Sequence, residues 1–442
     1  MTKDQVKQAF QRGLGRGILA VQENPERYRE LVLWACGRNL SFDTQCEGTR
    51  AWYDYQLISC FPDNKEFLEL IEQKFLGKKP DSSWDYLHFS ELLMYFAMDG
   101  NDTAEAALWD RYEDLLFRLM SFQRASRTKR QTVECFETLS VALSWEKDNY
   151  FRIAEDIGGL FLKSKQYDAW DFAWLCESRP REFNSELRRK SKSSRELSAF
   201  FAAFDDRKKE MKNWSANQTK RQIPEGGRAL SVYLKRKAPE LATSYAEVYL
   251  SQKNPEERAK ALEAFFVCPY PLDPTPIMKD AESDCHLLRS AAIEALGEIR
   301  NQKVREYALG HINDDIDGML PIVIKNYMPE DEAFLRKYIS ELQVDYSCKT
   351  GWHGIHFEIL DLFDADAGIT KPPKSLLPIL YESTLCSFCR GTVVRLMNKY
   401  RMISDSMWKE LLFDSNDDIR ALADSHFRRS ISAAEKQKPS QS

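Results

Sequence analysis

Four stretches of this chain superpose on a single arginine. "CEGTRAWYDYQLISC" carries Cys46, Arg50, Leu57 and Cys60. "CHLLRSAAIEALGEI" carries Cys285, Arg289, Leu296 and Ile299. "CSFCRGTVVRLMNKY" carries Cys386, Arg390, Met397 and Tyr400, and "NDDIRALADSHFRRS" puts Asn416 in the cysteine's place, followed by Arg420 and Phe427. An apolar or thiol side chain recurs seven residues after each arginine and, in three stretches, ten residues after. Those offsets share one helix face. Between the anchors, "DGMLPIVIKNYM" and "GWHGIHFEILDLF" supply further apolar helices. The period is roughly 30–37 residues with one helical pair in each, the pattern of stacked helices. Composition agrees: only 18 Gly and 17 Pro interrupt 442 residues, and few breakers among many helix formers leave little room for a sheet.

The best-formed of these stretches, "DCHLLRSAAIEALGEIRNQKVREYALGHI", resembles HEAT repeats, including the short bacterial HEAT-like kind. The resemblance covers Cys285–Arg429 and, more faintly, Phe42–Phe75. It implies an all-α fold, a right-handed α-α superhelix with no significant β-sheet. It also implies structural roles. An Asp near the inter-helix turn and an Arg on the second helix bond along the stack, so Asp284 with Arg289, and Asp418 with Arg420, fit that pairing. Arg390 takes the same place in its stretch. Ser290, Ala291 and Ala292 let neighbouring helices approach, and Leu296 and Ile299 fill the space between repeats. Such similarity gives an architecture and no activity.

Along the chain, residues 1–178 read as an N-terminal helical repeat region. "PERYRELVLWACGRN" starts on Pro25 and ends near Gly37, as a capped helix does. Four tryptophans precede an acid (Trp84-Asp85, Trp109-Asp110, Trp145-Glu146, Trp170-Asp171) and read as helix starts. Residues 179–237 form a basic helical connector broken at "IPEGG". Residues 238–430 form the C-terminal HEAT-like array, and 431–442 are expected to be a disordered tail.

Motifs with chemistry are few. "QRGLGRG" (Gly13, Gly15, Gly17) has the glycines of a phosphate loop without the preceding strand or the following Lys-Ser/Thr, so it reads as a bend between helices. Cys386-x-x-Cys389, with Cys348, His353 and His356 upstream, has zinc-ligand chemistry. The place of Cys386 in the repeat points instead to a packing thiol. Cys46, Cys285 and Cys386 are therefore expected buried, reduced and metal-free. No nucleophile motif occurs, no cofactor is expected, and acidic pairs such as Asp314-Asp315 and Asp417-Asp418 read as helix N-termini. The chain is read as non-catalytic. DNA glycosylases built of HEAT-like repeats share its Trp–acid pairs and basic segment, but their pattern does not map onto it residue by residue.

Charge gives the remaining signal. Arg179–Lys237 holds 17 Lys and Arg against 7 Asp and Glu, in a chain whose net charge is −5. Arg188, Arg189, Lys190, Lys192 and Arg195 form one cluster, and Lys208, Lys209 and Lys212 another, beside Trp214. Lys220, Arg221, Arg228, Lys235, Arg236 and Lys237 extend it, and Arg118, Arg124, Arg127, Lys129 and Arg130 lie upstream. Aligned on one face, these cations would track a phosphate backbone. The expected role is a cytoplasmic scaffold that binds another protein, with nucleic acid as the alternative partner. No membrane partner is expected: neither a signal-peptide core nor an apolar run of membrane-spanning length is visible.

Overall fold

The computed structural model describes residues 1–77, 83–121, 127–163, 167, 172, 175, 179–218, 226–341, 349–364, 369 and 371–436. Every regular element among them is helical, and no strand occurs there. No helix among them is long and apolar enough to cross a membrane. The chain divides into two compact units. The first comprises residues 1–218, 386–388 and 403–442, and the second 219–385 and 389–402. Residues 403–442 thus cluster with the N-terminal unit, although the repeat pattern reads them as the end of the C-terminal array.

The first unit is tied together by its glycine-rich segment. Helix Lys3–Arg12 begins on a capping box between Thr2 and Gln5 and ends on Gly13, whose φ of 67° is left-handed. A side chain at Gly15 would sit 1.9 Å from the Glu410 carbonyl oxygen, and one at Gly17 would sit 2.5 Å from the Tyr53 hydroxyl. The glycines of "QRGLGRG" therefore allow backbones to meet. Ser415 N donates to Gly13 O at 2.9 Å, and Arg16 pairs with Glu410 at 2.9 Å. The aromatic-rich core runs from Val6 to Phe201. Helix Lys147–Lys163 lies against helix Arg195–Gln218, and Gly158 marks the contact: a side chain there would sit 2.0 Å from Glu196 O. Trp84 lies at a helix start as expected, Trp145 lies in the turn two residues before helix Lys147–Lys163, and Trp109 sits inside helix Asp102–Ser121. Trp170 is outside the described residues. Helix Asp417–Lys436 continues through 431–436, where a disordered tail was expected, and 437–442 are outside the described residues.

The second unit has its own core, from Leu230 to Val323. Its arginines follow a local rule. Arg289 is the fourth residue of helix His286–Leu296, and Arg390 the fourth of Ser387–Lys399. In the first unit, Arg420 is the fourth of Asp417–Lys436. The same place is held by Arg258 in Pro255–Leu262 and by Arg305 in Gln302–His311. Arg258, Arg289 and Arg420 each donate Nη1 to the carbonyl six residues back, on Gln252, Ser283 and Asp414. Such a carbonyl ends the preceding segment and needs a donor. The expected Asp284–Arg289 bond is not what forms. Asp284 is exposed, and Arg289 donates to Ser283 O at 3.0 Å. Arginine–aspartate bonds of this unit include Arg258–Asp280 at 2.5 Å and the buried pair Arg305–Asp331 at 2.5 Å. Arg305 is free to reach Asp331 because Asn326 Nδ2 already serves Ile299 O, six residues before it.

Candidate functional site: an acid-lined groove

Within the second unit, faces of several helices surround a groove of about 1200 Å³. Helix His286–Leu296 and the turn after it contribute Ser290, Ile293, Glu294, Gly297 and Glu298, at spacings of three and four residues that share one face. Helix Ile316–Lys325 contributes Asp317, Pro321, Ile324 and Lys325, with its N-cap Asp315. Pro321 has no N–H, so the Asp317 carbonyl lacks its usual helical donor. Helix Lys349–Asp361 contributes Glu358 and Asp361.

The lining holds seven carboxylates and four cations. Three of those cations are already engaged: Arg228 with Glu294 at 4.0 Å, Lys235 with Glu298 at 3.8 Å, and Lys325 with Glu298 at 3.1 Å. Asp317, Glu358 and Asp361 have no ion pair among the described residues. Burial raises the pKa of Glu358, and the nearby Asp361 adds to it. Burial followed by the nearby Asp364 does the same for Asp361. Carboxylates held together without enough counter-charge favour an incoming cation. Between them the floor is apolar, with Phe266, Ile293 and Ile324, and Tyr270 lines it too. The Tyr270 hydroxyl is buried and has no hydrogen-bond partner among the described residues.

No protein-family model matches the chain, and no curated protein matches it. The reading of the groove therefore rests on its own chemistry.

The basic residues singled out in the sequence lie largely in the first unit. Arg188, Arg189 and Lys190 end helix Arg181–Lys190, and Lys192 sits in the turn before Arg195 opens the next helix. Five cations thus gather at one helical hairpin. Arg188 is engaged there: it forks onto Asp205 at 2.8 and 3.0 Å and stacks on Phe201. Lys190 lies over the Phe151 ring, and Lys209 pairs with Asp206 at 3.1 Å. Arg189, Lys192, Arg195 and Lys208 are exposed and carry no ion pair among the described residues. Upstream, Arg118 pairs with Asp114 and Arg130 with Glu134. The side chains of Arg124, Arg127, Lys129, Lys212, Trp214, Lys220 and Arg221 are outside the described residues.

The thiol expectations divide. Cys386 is buried, Cys285 half-buried and Cys46 exposed, which corrects the reading of Cys46 as a packing residue. Arg50 explains the difference. It precedes helix Ala51–Ile58 instead of sitting inside it, so the alignment on Cys46 does not carry the same geometry. Cys389 is buried, with Sγ 3.2 Å from His353 Nδ1. Cys348 is outside the described residues. A further group was not legible in the sequence: Cys36, Asp54 and His88 are fully buried in the first unit. His88 Nε2 lies 3.4 Å from Asp54 Oδ2. Burial pushes Asp54 up to about 8 and His88 down to about 3, and it also raises Cys36. All three are shut off from solvent.

Proposed function

We propose that this chain is a non-catalytic helical scaffold of HEAT-like type, and that its second unit holds a basic segment of a partner protein. The observation that carries the reading is the groove: a concave surface, rich in carboxylates and with an apolar floor. Such a surface suits a polypeptide whose Lys or Arg side chains meet the acids while apolar residues cover Phe266 and Ile293. It repels a phosphate backbone. The basic segment gives weaker support to a nucleic-acid role, because Arg188, Lys190 and Lys209 are engaged inside their own unit.

The reading is tested by fluorescence anisotropy of the full chain with a labelled peptide alternating Lys and Leu, against one alternating Glu and Leu. The basic peptide should bind and the acidic one should not. Asp317→Lys with Asp361→Lys should weaken binding by about tenfold or more. Equal binding of both peptides, or a double variant that binds as the parent does, would sink the reading.

A further inference from the structure

The same chain that carries the acid-lined groove carries an exposed cationic hairpin, and the two belong to different units. Arg189, Lys192 and Arg195 lie within seven residues around the turn that joins helices Arg181–Lys190 and Arg195–Gln218. None of the three has an ion pair among the described residues. Their neighbour Arg188 is held by Asp205 and Phe201, which fixes the end of the first helix and presents the turn as a shaped element. The groove offers the complementary set: among the described residues Asp317, Glu358 and Asp361 form no ion pair and the buried Tyr270 hydroxyl has no hydrogen-bond partner.

Resting on the groove as the partner site, we propose that its occupant is a second copy of this chain, docked through the Arg188–Arg195 hairpin. Charge complementarity chooses this occupant. Every copy that offers the groove offers the hairpin at the same concentration, and neither Arg189, Lys192 and Arg195 nor Asp317, Glu358 and Asp361 form an ion pair among the described residues, although Lys325 lies near the last two. The contact joins unlike surfaces, so copies add head to tail until the arrangement closes on itself. Exposed cations meeting carboxylates make it dependent on salt.

The test uses the full chain in sedimentation velocity and light scattering after nuclease treatment. At about 50 mM salt the mass should rise above that of the single chain, and at about 500 mM it should return to it, because screening shortens the reach of these charges. The single-chain mass is 51.4 kDa. Reversing the hairpin (Arg189→Glu, Lys192→Glu, Arg195→Glu) should leave a monomer at low salt. Reversing the groove (Asp317→Lys, Asp361→Lys) should do the same. Mixing the two reversed proteins should restore assembly, because the hairpin of each then matches the groove of the other, and one chain carrying both reversals should also assemble. Recovery by the charge-swapped chain is something a folding defect would not give. A monomer at every salt concentration overturns the proposal, as does assembly that survives either reversal. So does a hairpin whose reversal abolishes binding to added single-stranded nucleic acid while the mass stays unchanged. If the Lys-Leu peptide binds the groove but the chain stays monomeric, only the self-partner fails. If neither occurs, the groove reading fails with it.

Discussion

Both units bury arginines, and Arg50 in the first is held differently from Arg305 in the second. In the second, Arg305 reaches Asp331, 26 residues downstream in a separate turn, and Arg258 reaches Asp280, 22 residues downstream. Each arginine on its helix thus clasps a carboxylate of a later element, and Arg305 also reaches the exposed Glu330 at 3.4 Å. In the first, Arg50 is only 2 % exposed and serves several groups at once. It pairs with Glu47 at 3.0 Å and donates to the carbonyls of Phe10 and Gln11. Glu47 in turn accepts from the backbone N–H groups of Asp43 and Ser387. The pair in the second unit is a detachable clasp, whereas Arg50 and Glu47 are the hub of a backbone network. An ion pair removed from water gains little by itself, but leaving one member behind is costly.

That contrast sets the largest expected effects. Arg50→Ala leaves a buried carboxylate and two backbone carbonyls without their donor, and should cost about 4–5 kcal/mol. Arg305→Ala leaves the buried Asp331 with only the Met328 N–H as donor, while Glu330 is exposed to water, and about 3 kcal/mol is expected. Urea unfolding of the full chain gives the ranking. The double variants sharpen it. Arg305→Met with Asp331→Leu should recover more than half of the loss, since no charge is stranded and only the Met328 N–H loses its acceptor. Arg50→Met with Glu47→Leu should recover little, since the N–H groups of Asp43 and Ser387 lose their acceptor. Equal recovery in both would erase the distinction between clasp and hub.

A second difference is one of pH. The first unit holds the buried Asp54–His88 pair, with a folded pKa of about 8 for Asp54 and about 3 for His88, against ordinary values of 3.8 and 6.5. A raised folded pKa gives Asp54 a contribution that is full below pH 3.8 and lost as pH rises through about 8. The depressed folded pKa of His88 gives a contribution present above pH 6.5 and lost as pH falls through about 3. Between pH 3.8 and 6.5 the two slopes cancel, because folded and unfolded pairs each hold one proton. Above that range only Asp54 acts, and its contribution should fall by about 2 kcal/mol up to pH 8, at about 1.4 kcal/mol per pH unit. Asp54→Asn should remove this fall while leaving other titrations in place. Parallel stability–pH curves for parent and variant above pH 6.5 would show that Asp54 is already ionised in the fold.

How far the sequence could be read depends on whether the chemistry was local. The arginine at the fourth helix position was visible at Arg289, Arg390 and Arg420 because it recurs at a fixed distance from the helix start. Arg258 and Arg305 carry the same signal after Asn254 and Asn301, the N-caps of their helices. Alignment on cysteine passed over them. The carboxylates they bind were not legible, because Asp280 and Asp331 lie at variable distances across turns. Nor was the groove. Asp317 lies on a different helix from Glu358 and Asp361, and nothing in the spacing announces that the two helices bring their acids together. The basic segment was legible as charge, but the Arg188–Asp205 fork was not, since its members come from two helices of one hairpin. The resemblance placed an Asp–Arg bond at the wrong pair of residues, because Arg289 had a nearer acceptor in its own turn.

That displaced bond gives the smallest and most discriminating prediction. Arg289 is half-buried and holds a single carbonyl, Ser283 O, which water can reach when the side chain is removed. Arg289→Ala should therefore cost only about 1 kcal/mol, the usual net value of one such hydrogen bond. Arg420 makes the same carbonyl contact in the first unit, pairs with Asp417 and lies 3.5 Å over the Trp52 ring. Arg420→Ala should cost about 0.5–2 kcal/mol more than Arg289→Ala, the range of a partly desolvated cation–π contact. Asp284→Ala should change stability by less than about 0.5 kcal/mol, as surface substitutions do. Denaturation midpoints of these three variants decide the matter. If Asp284→Ala costs as much as Arg289→Ala, and the two together cost no more than either alone, the two side chains bond to each other. The carbonyl contact would then not be what fixes the start of this helix.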